Sequence, residues 1–86
     1  MGPVYSRIDF HDDYDRMFQR VTEAINNIKK IKGAGNWAVI QLIMGHGKLE
    51  RYTEMRNWLR HPDQRALYKT MLLQPENGII YLYFTR

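Results

Sequence analysis

The sequence of 86 residues contains no cysteine, which excludes disulfide scaffolds, thiolate metal sites and cysteine nucleophiles. It also lacks a long apolar run. The longest such run, residues 37–44, contains Gln41 and falls far short of the ~20 residues that cross a membrane as a helix. The first residues show neither the basic nor the apolar segment of a signal peptide. These absences predict a cytoplasmic protein without a membrane partner.

Sequence motifs for catalysis and cofactor binding are missing as well. The single serine, Ser6, falls within a predicted strand, and no His-x-x-x-His or His-Glu-x-x-His spacing is present. The glycine-rich stretch at residues 45–48 differs from a phosphate-binding loop because Leu49 occupies the position of the required hydroxyl. We therefore expect no catalytic residues, no metal site and no cofactor.

One enzymatic alternative stays open at the end of the first predicted strand. Asp9, His11 and Asp12 lie close together in the sequence there. Carboxylates and an imidazole are able to bind Mg²⁺ or Mn²⁺, and such an ion activates water against a phosphodiester. This corner would make the protein a small metal-dependent nuclease. The simpler interpretation is that Asp12 caps the following helix and that its acidic neighbours stabilise the first turn.

The hydrophobic pattern predicts a strand followed by a long amphipathic helix. Residues 4–10 alternate with a period of two, and Val4, Ser6, Ile8 and Phe10 share the inward side. Apolar residues then recur at intervals of three and four from about Asp12 to Ile31, which is the helical period. Gly33 and Gly35 are expected to end this helix. Its predicted inward stripe consists of Tyr14, Met17, Val21, Ala24, Ile28 and Ile31, widened by Phe18 and Ile25.

The second half of the chain predicts a strand, a helix and a hairpin. Residues 37–44 are nearly all apolar, which favours a strand buried on both faces. Leu49, Tyr52, Met55 and Leu59 indicate a second helix that ends before Pro62. Residues 63–73 fit either a third helix or a strand. The turn sequence at residues 75–78 favours the strand, paired with the β-rich residues 79–85.

These elements predict a small two-layer α+β fold in which residues 1–86 form a single domain. The element order is β-α-β-α-β-β, with one sheet and two helices on one of its faces, because an apolar sheet face must be covered. No residue motif connects the chain to a known family. In particular, the glycine- and aromatic-rich strand signature of the RNA-recognition module is missing.

Charge and aromatic content point to a binding function. The net charge is +4, and the basic residues concentrate in the two helical segments, which favours an anionic partner such as nucleic acid. The last strand alternates Ile80, Leu82 and Phe84 with two tyrosines, so its second face is available for contact. The first strand would extend that face if the two strands are neighbours. The candidate binding residues are Tyr5, Arg7, Arg51, Arg56, Arg60, Arg65, Lys69, Tyr81 and Tyr83.

We therefore expect a small non-catalytic binding or regulatory protein, with a homodimer as its own assembly. Its partner would be nucleic acid or a host protein, bound through basic helices and a tyrosine-rich sheet face. An alternative is an inhibitor or accessory protein of a phage or mobile element that acts by protein–protein contact. The third alternative is the metal-dependent nuclease. A chain this short buries a limited share of its surface, so association is an effective way to cover the remainder.

Overall fold

The computed structural model of the chain describes residues 4–32 and 37–84. Expectations for Gly33, Gly35 and Thr85, and for the side chain of Val4, concern positions outside the described residues and side chains. The elements are, in chain order, β1 (Val4–Asp9), α1 (Met17–Lys32), β2 (Ala38–Ile43), α2 (Leu49–Arg60), α3 (Pro62–Arg65), β3 (Thr70–Gln74), a 3₁₀ turn (Pro75–Asn77) and β4 (Ile79–Phe84).

The four strands form one mixed sheet in the order β1-β2-β4-β3. β1 and β2 are parallel, which requires a crossover connection, and α1 supplies it. β4 is antiparallel to both of its neighbours. The fold is thus a small two-layer α+β arrangement with one sheet and two main helices, as predicted. The residues between α2 and β4 contain both a short helix, α3, and the strand β3, so each of the two expectations for this region was right in part.

The core lies between the helices and one face of the sheet. Alternate residues of β2 and β4, among them Ile40, Leu42, Ile80 and Leu82, are completely buried there. The stripe predicted for α1 is confirmed at its centre, where Val21 and Ile25 are fully buried. Burial of such side chains contributes about 1.5–3 kcal/mol each. The remaining helix residues of the core are Met17, Ile28, Tyr52, Met55 and Leu59.

Helix α1 begins at Met17, five positions later than the sequence pattern predicted, and Asp12 does not cap it. His11, Asp12 and Arg16 have positive φ angles, so the chain turns repeatedly before the helix starts. The Asp12 carboxylate instead lies 2.9 Å from Nζ of Lys48, at the start of α2. The Tyr14 hydroxyl donates a 2.7 Å hydrogen bond to the carbonyl oxygen of Met44. This loop thus contacts both the end of β2 and the start of α2.

Three apolar residues that were expected to be buried are exposed. Ile31 and Leu49 lie at the ends of the helical stripes, and each is about two-thirds exposed, at 67% and 65%. Trp37 precedes β2 and is 50% exposed. The expectation that residues 37–44 are buried on both faces was wrong. The residues of β2 alternate between full and partial burial because the helices cover only one face of the sheet.

None of the helices within the described residues combines the length and apolar character needed to cross a membrane. The longest of them, α1, has 16 residues and carries charged side chains along its exposed side.

Candidate functional site

The face of the sheet that lies opposite the helices is a candidate site, and we call it the open face. Paired residues of neighbouring strands share a face, so the register defines three rows of side chains across it. The rows are Tyr5, Val39, Tyr83 and Thr70; Arg7, Gln41, Tyr81 and Leu72; and Asp9, Ile43, Ile79 and Gln74. All three predicted tyrosines, Tyr5, Tyr81 and Tyr83, thus occur on one surface together with Arg7.

The open face exposes large apolar side chains. Tyr5 is 56% exposed and Leu72 is 47% exposed. Trp37 stands beside Val39 and Tyr83, and together they line a shallow depression of about 240 Å³. Aromatic side chains with partial exposure are enriched at the centres of protein interfaces. The depression has the shape and chemistry to receive an aliphatic or aromatic side chain.

A hydrogen-bonded row crosses the middle of the open face. The Tyr5 hydroxyl donates to Oε1 of Gln41, and Nε2 of Gln41 donates to the Tyr81 hydroxyl at 3.2 Å. The rings of Tyr81 and Tyr83 are 6.3 Å apart with an angle of 31° between their planes. These contacts hold the aromatic side chains in fixed positions, which lowers the entropy lost when a partner binds. β1 and β4 are not neighbours, because β2 lies between them. Gln41 of β2 connects the tyrosines of the two strands.

The open face is almost free of charge. The four strands carry only two charged residues, Arg7 and Asp9. Their side chains are 3.6 Å apart and form an ion pair with each other. The face therefore has no excess of positive charge with which to neutralise a phosphate backbone.

Apart from Arg7, the predicted basic residues lie outside the sheet, in α2, in α3 and just before β3. Arg51 forms an ion pair with Glu54 at 2.9 Å and lies over the ring of Tyr14. Arg56 donates hydrogen bonds to the side chain of Asn57. The arginines of α2 and α3 thus lie on the helix layer, whereas the tyrosines lie on the opposite face of the sheet.

The remaining predicted basic residues, between the last turn of α2 and the start of β3, make local contacts or are exposed. Arg65 donates a 3.1 Å hydrogen bond to the carbonyl oxygen of Tyr68 and lies over its ring. The Lys69 side chain is exposed, while its backbone N–H donates to the carbonyl oxygen of Tyr83 at 2.7 Å. Arg60 is exposed in the last turn of α2.

The acidic corner does not form a metal-binding arrangement. Asp9 contacts Arg7 and His11, whereas Asp12 contacts Lys48. Across residues 4–32 and 37–84, no group of three histidine, aspartate or glutamate side chains is placed to bind one ion. The nuclease alternative thus gains no geometric support from these residues.

Three tyrosines on the helix side have perturbed ionisation because of their packing. Burial raises the pKa of Tyr14, Tyr52 and Tyr68 above the ordinary value for a phenol. The Tyr68 hydroxyl donates a 2.7 Å hydrogen bond to the carbonyl oxygen of Leu59. The Tyr52 hydroxyl is buried without a hydrogen-bond partner among the described residues. Both hydroxyls belong to the core, where they have no access to a ligand.

Sequence reasoning missed several residues of the open face. Trp37, Val39 and Gln41 had been placed in a strand buried on both faces, and Leu72 in a hairpin without an assigned face. The available signal was Gln41, a polar side chain in an otherwise apolar run. Its position two residues from Val39 and four from Trp37 puts all three on one side of a strand.

Comparisons with protein-family models, with curated proteins and with solved structures found no match to this chain. Its function therefore has to follow from the geometry and chemistry of its own surfaces.

Proposed function

We propose that this chain is a small non-catalytic, regulatory binding protein that docks a protein partner on its open face. The observation that supports this most directly is the exposed aromatic surface around Trp37, Tyr5 and Tyr83, with its apolar depression. Contiguous exposed apolar surface of this kind is costly in water and is typical of interaction sites. The cysteine-free composition is compatible with the reducing cytoplasm, which is the location we propose for this function.

The chemistry of the open face favours a folded protein over nucleic acid. Binding to nucleic acid depends on neutralising phosphates with lysine and arginine, and the only arginine of the four strands is paired with Asp9. The partner that fits is a protein surface with an apolar centre. One of its side chains would fill the depression beside Trp37, and its polar groups would hydrogen-bond to Gln41 and Tyr81. Binding by a mainly apolar contact of this kind is only weakly dependent on salt.

Site-specific photo-crosslinking would test this proposal. A photoreactive residue at Val39 lies at the centre of the open face, and one at Asn57 lies on the exposed side of α2 and serves as the matched control. We expect a protein adduct from Val39 and none from Asn57. The adduct should persist after nuclease treatment and at high salt. The partner identified in this way should then bind the purified chain, and Trp37→Ala and Tyr83→Asp should each weaken that binding at least tenfold.

Two results would contradict the proposal. One is equal crosslinking of one protein from both positions, because that indicates contact without a preferred surface. The other is a purified partner whose affinity is unchanged in Trp37→Ala and Tyr83→Asp while both variants remain folded by circular dichroism. Loss of the adduct on nuclease treatment would instead assign the surface to nucleic acid.

A second candidate function, binding of nucleic acid, rests on the arginines of α2 and α3. Arg56 and Arg60 both lie near the Tyr52 phenol, and Arg60 and Arg65 both lie near Tyr68. None of these three arginines forms an ion pair with a carboxylate within the described parts of the chain. Guanidinium groups that no carboxylate neutralises are suited to binding phosphates.

Fluorescence anisotropy with labelled single- and double-stranded oligonucleotides tests this second candidate. If α2 and α3 bind nucleic acid, the affinity for the oligonucleotide should fall steeply as the salt concentration rises, and Arg56→Glu and Arg60→Glu should each lose binding. Lys29→Glu on α1 is the control for a general effect of net charge. Equal losses from Lys29→Glu and Arg56→Glu would contradict a specific site.

A further inference from the structure

The outer edge of β1 offers backbone groups for pairing with another strand. In the described residues, no strand pairs with this edge, because β1 is the first strand in the sheet order. The Phe10 N–H, just after β1, donates to the carbonyl oxygen of Ile43 at 3.2 Å and so points toward β2. Because successive residues of a strand alternate in direction, Ser6 and Ile8 also point toward β2. The N–H and C=O groups of Tyr5, Arg7 and Asp9 therefore point outward.

An open groove of about 530 Å³ runs along the same edge, between β1 and α1. Its lining is mixed: Ile8, Ala24 and the mostly exposed Ile31 contribute apolar atoms, and Arg20, Glu23 and Asn27 of α1 contribute polar ones. An added strand would place alternate side chains into this groove, while its backbone pairs with β1. The edge thus combines unpaired backbone groups with an open, partly apolar groove, and unpaired backbone groups at a sheet edge favour strand addition.

We propose that a second copy of this chain occupies the edge, through antiparallel pairing of the two β1 strands. The two-fold axis passes beside Ile8, so Arg7 of each copy lies opposite Asp9 of the other. Both residues have outward backbone groups, so each such pair exchanges two backbone hydrogen bonds. Opposite charges then face each other across the junction on the open face, and this complementarity selects the register. A two-fold axis beside Arg7 would instead place the two arginines directly opposite each other.

The layer geometry accommodates such a dimer. α1 packs on both β1 and β2, so it lies inward from the sheet edge. With neighbouring strands about 5 Å apart, the two α1 helices of the dimer would be about 10 Å apart, which is a normal distance for packed helices. The Ile8 side chains of the two copies meet in the groove between them. The two sheets become continuous and their open faces lie side by side, although the pairing of the strands does not depend on what those faces bind.

Sedimentation equilibrium over a concentration series tests the dimer, and charge reversal tests its register. We expect the wild-type chain to be dimeric at submillimolar concentration. Arg7→Asp alone and Asp9→Arg alone each create two like-charge pairs and should weaken dimerisation about tenfold or more. An equimolar mixture of the two single variants should form a heterodimer with near wild-type affinity, because each new charge then faces an opposite one. The double variant should dimerise by itself in the same way.

Control variants distinguish the edge of β1 from the rest of the protein surface. Thr70→Asp places a new charge on β3, the opposite edge strand, and should leave dimerisation unchanged. Circular dichroism and denaturant melts verify that each variant is folded. If Asp9→Arg does not fold, the series wild type, Arg7→Ala and Arg7→Asp decides the question, with a progressive loss of affinity as the expected result. A monomeric wild type, single variants that dimerise normally, or a mixture without recovery would overturn the proposal.

Discussion

Gly78 lies directly against the backbone of Gly45, so closely that no side chain fits between them. A Cβ atom on Gly78 would be 2.8 Å from the carbonyl carbon of Gly45 and 2.9 Å from its nitrogen. The carbonyl oxygen of Gly78 also accepts a 2.7 Å hydrogen bond from the N–H of Met44. This contact fixes the turn between β3 and β4 against the end of β2, and so aligns the strands that form the open face.

The first prediction concerns this contact. Gly78→Ala should destabilise the protein by about 2 kcal/mol or more, because it adds a steric clash to the strain of a left-handed conformation. The φ angle of Gly78 is 66°. Gly47→Ala is the matched control, since Gly47 has a φ angle of 74° and nothing near its Cβ position. It should cost only about 1 kcal/mol of strain. Denaturant melts of both variants measure the difference, and equal losses would mean that the contact is unimportant.

Much of the fold could be predicted from the sequence because it depends on local periodicity. Val21 and Ile25 repeat at the helical period, and Ile80 and Leu82 at the strand period, and all four are fully buried. The start of α1 could not be predicted in this way. It depends on a contact between Tyr14 and Met44, thirty positions apart, which no local pattern encodes.

Less of the candidate site than of the fold could be predicted from the sequence. The alternation of Tyr81 and Tyr83 with core residues correctly placed them on the uncovered face of the sheet. The position of β2 between β1 and β4 depends on strand order, which hydrophobic patterns do not determine. For that reason the link from Tyr5 through Gln41 to Tyr81 was not foreseen.

The second prediction contrasts two buried tyrosines. Tyr68→Phe removes a hydrogen bond to the carbonyl oxygen of Leu59 and should cost about 1 kcal/mol of stability. Tyr52→Phe removes a buried hydroxyl that has no partner among the described residues, so it should leave stability unchanged or raise it by up to about 1 kcal/mol. Thermal and urea melts at neutral pH measure the stability of both variants. A loss in Tyr52→Phe as large as that in Tyr68→Phe would show that the Tyr52 hydroxyl has a partner.

The third prediction is a loss of stability at alkaline pH. Burial raises the pKa of Tyr52 and Tyr68 in the folded state, whereas an unfolded tyrosine titrates near pH ~10. Below that pH both states are protonated, and these residues cause no dependence on pH. Above it the unfolded chain loses protons that the folded chain retains, so stability falls as pH rises toward the folded pKa values. Urea melts from neutral pH to pH ~11 measure this decline.

The double variant Tyr52→Phe/Tyr68→Phe should show a smaller alkaline decline than the wild type. Ile28→Val is the control, because it shortens a core side chain without changing a titratable group and should cost about 0.5–1.5 kcal/mol at every pH. If the stability of the double variant falls at alkaline pH as steeply as that of the wild type, other groups cause the decline. One such group is Lys48, whose pKa is raised by its hydrogen bond to Asp12 and which therefore also loses a stabilising charge at high pH.

The last prediction separates the two faces of β4. Leu82 is completely buried against the helices, and Leu82→Ala should cost about 2–5 kcal/mol. Its neighbour Tyr83 is half-buried on the open face, where it lines the depression beside Trp37. Tyr83→Ala should therefore cost clearly less stability than Leu82→Ala, while it weakens partner binding. Tyr81→Ala should behave similarly, with an additional small loss from its hydrogen bond to Gln41. Denaturant melts together with binding measurements on the same preparations distinguish the two roles. If Tyr83→Ala unfolds the chain as readily as Leu82→Ala and leaves binding intact, the tyrosine is a structural residue and the open face has been assigned a role that it does not have.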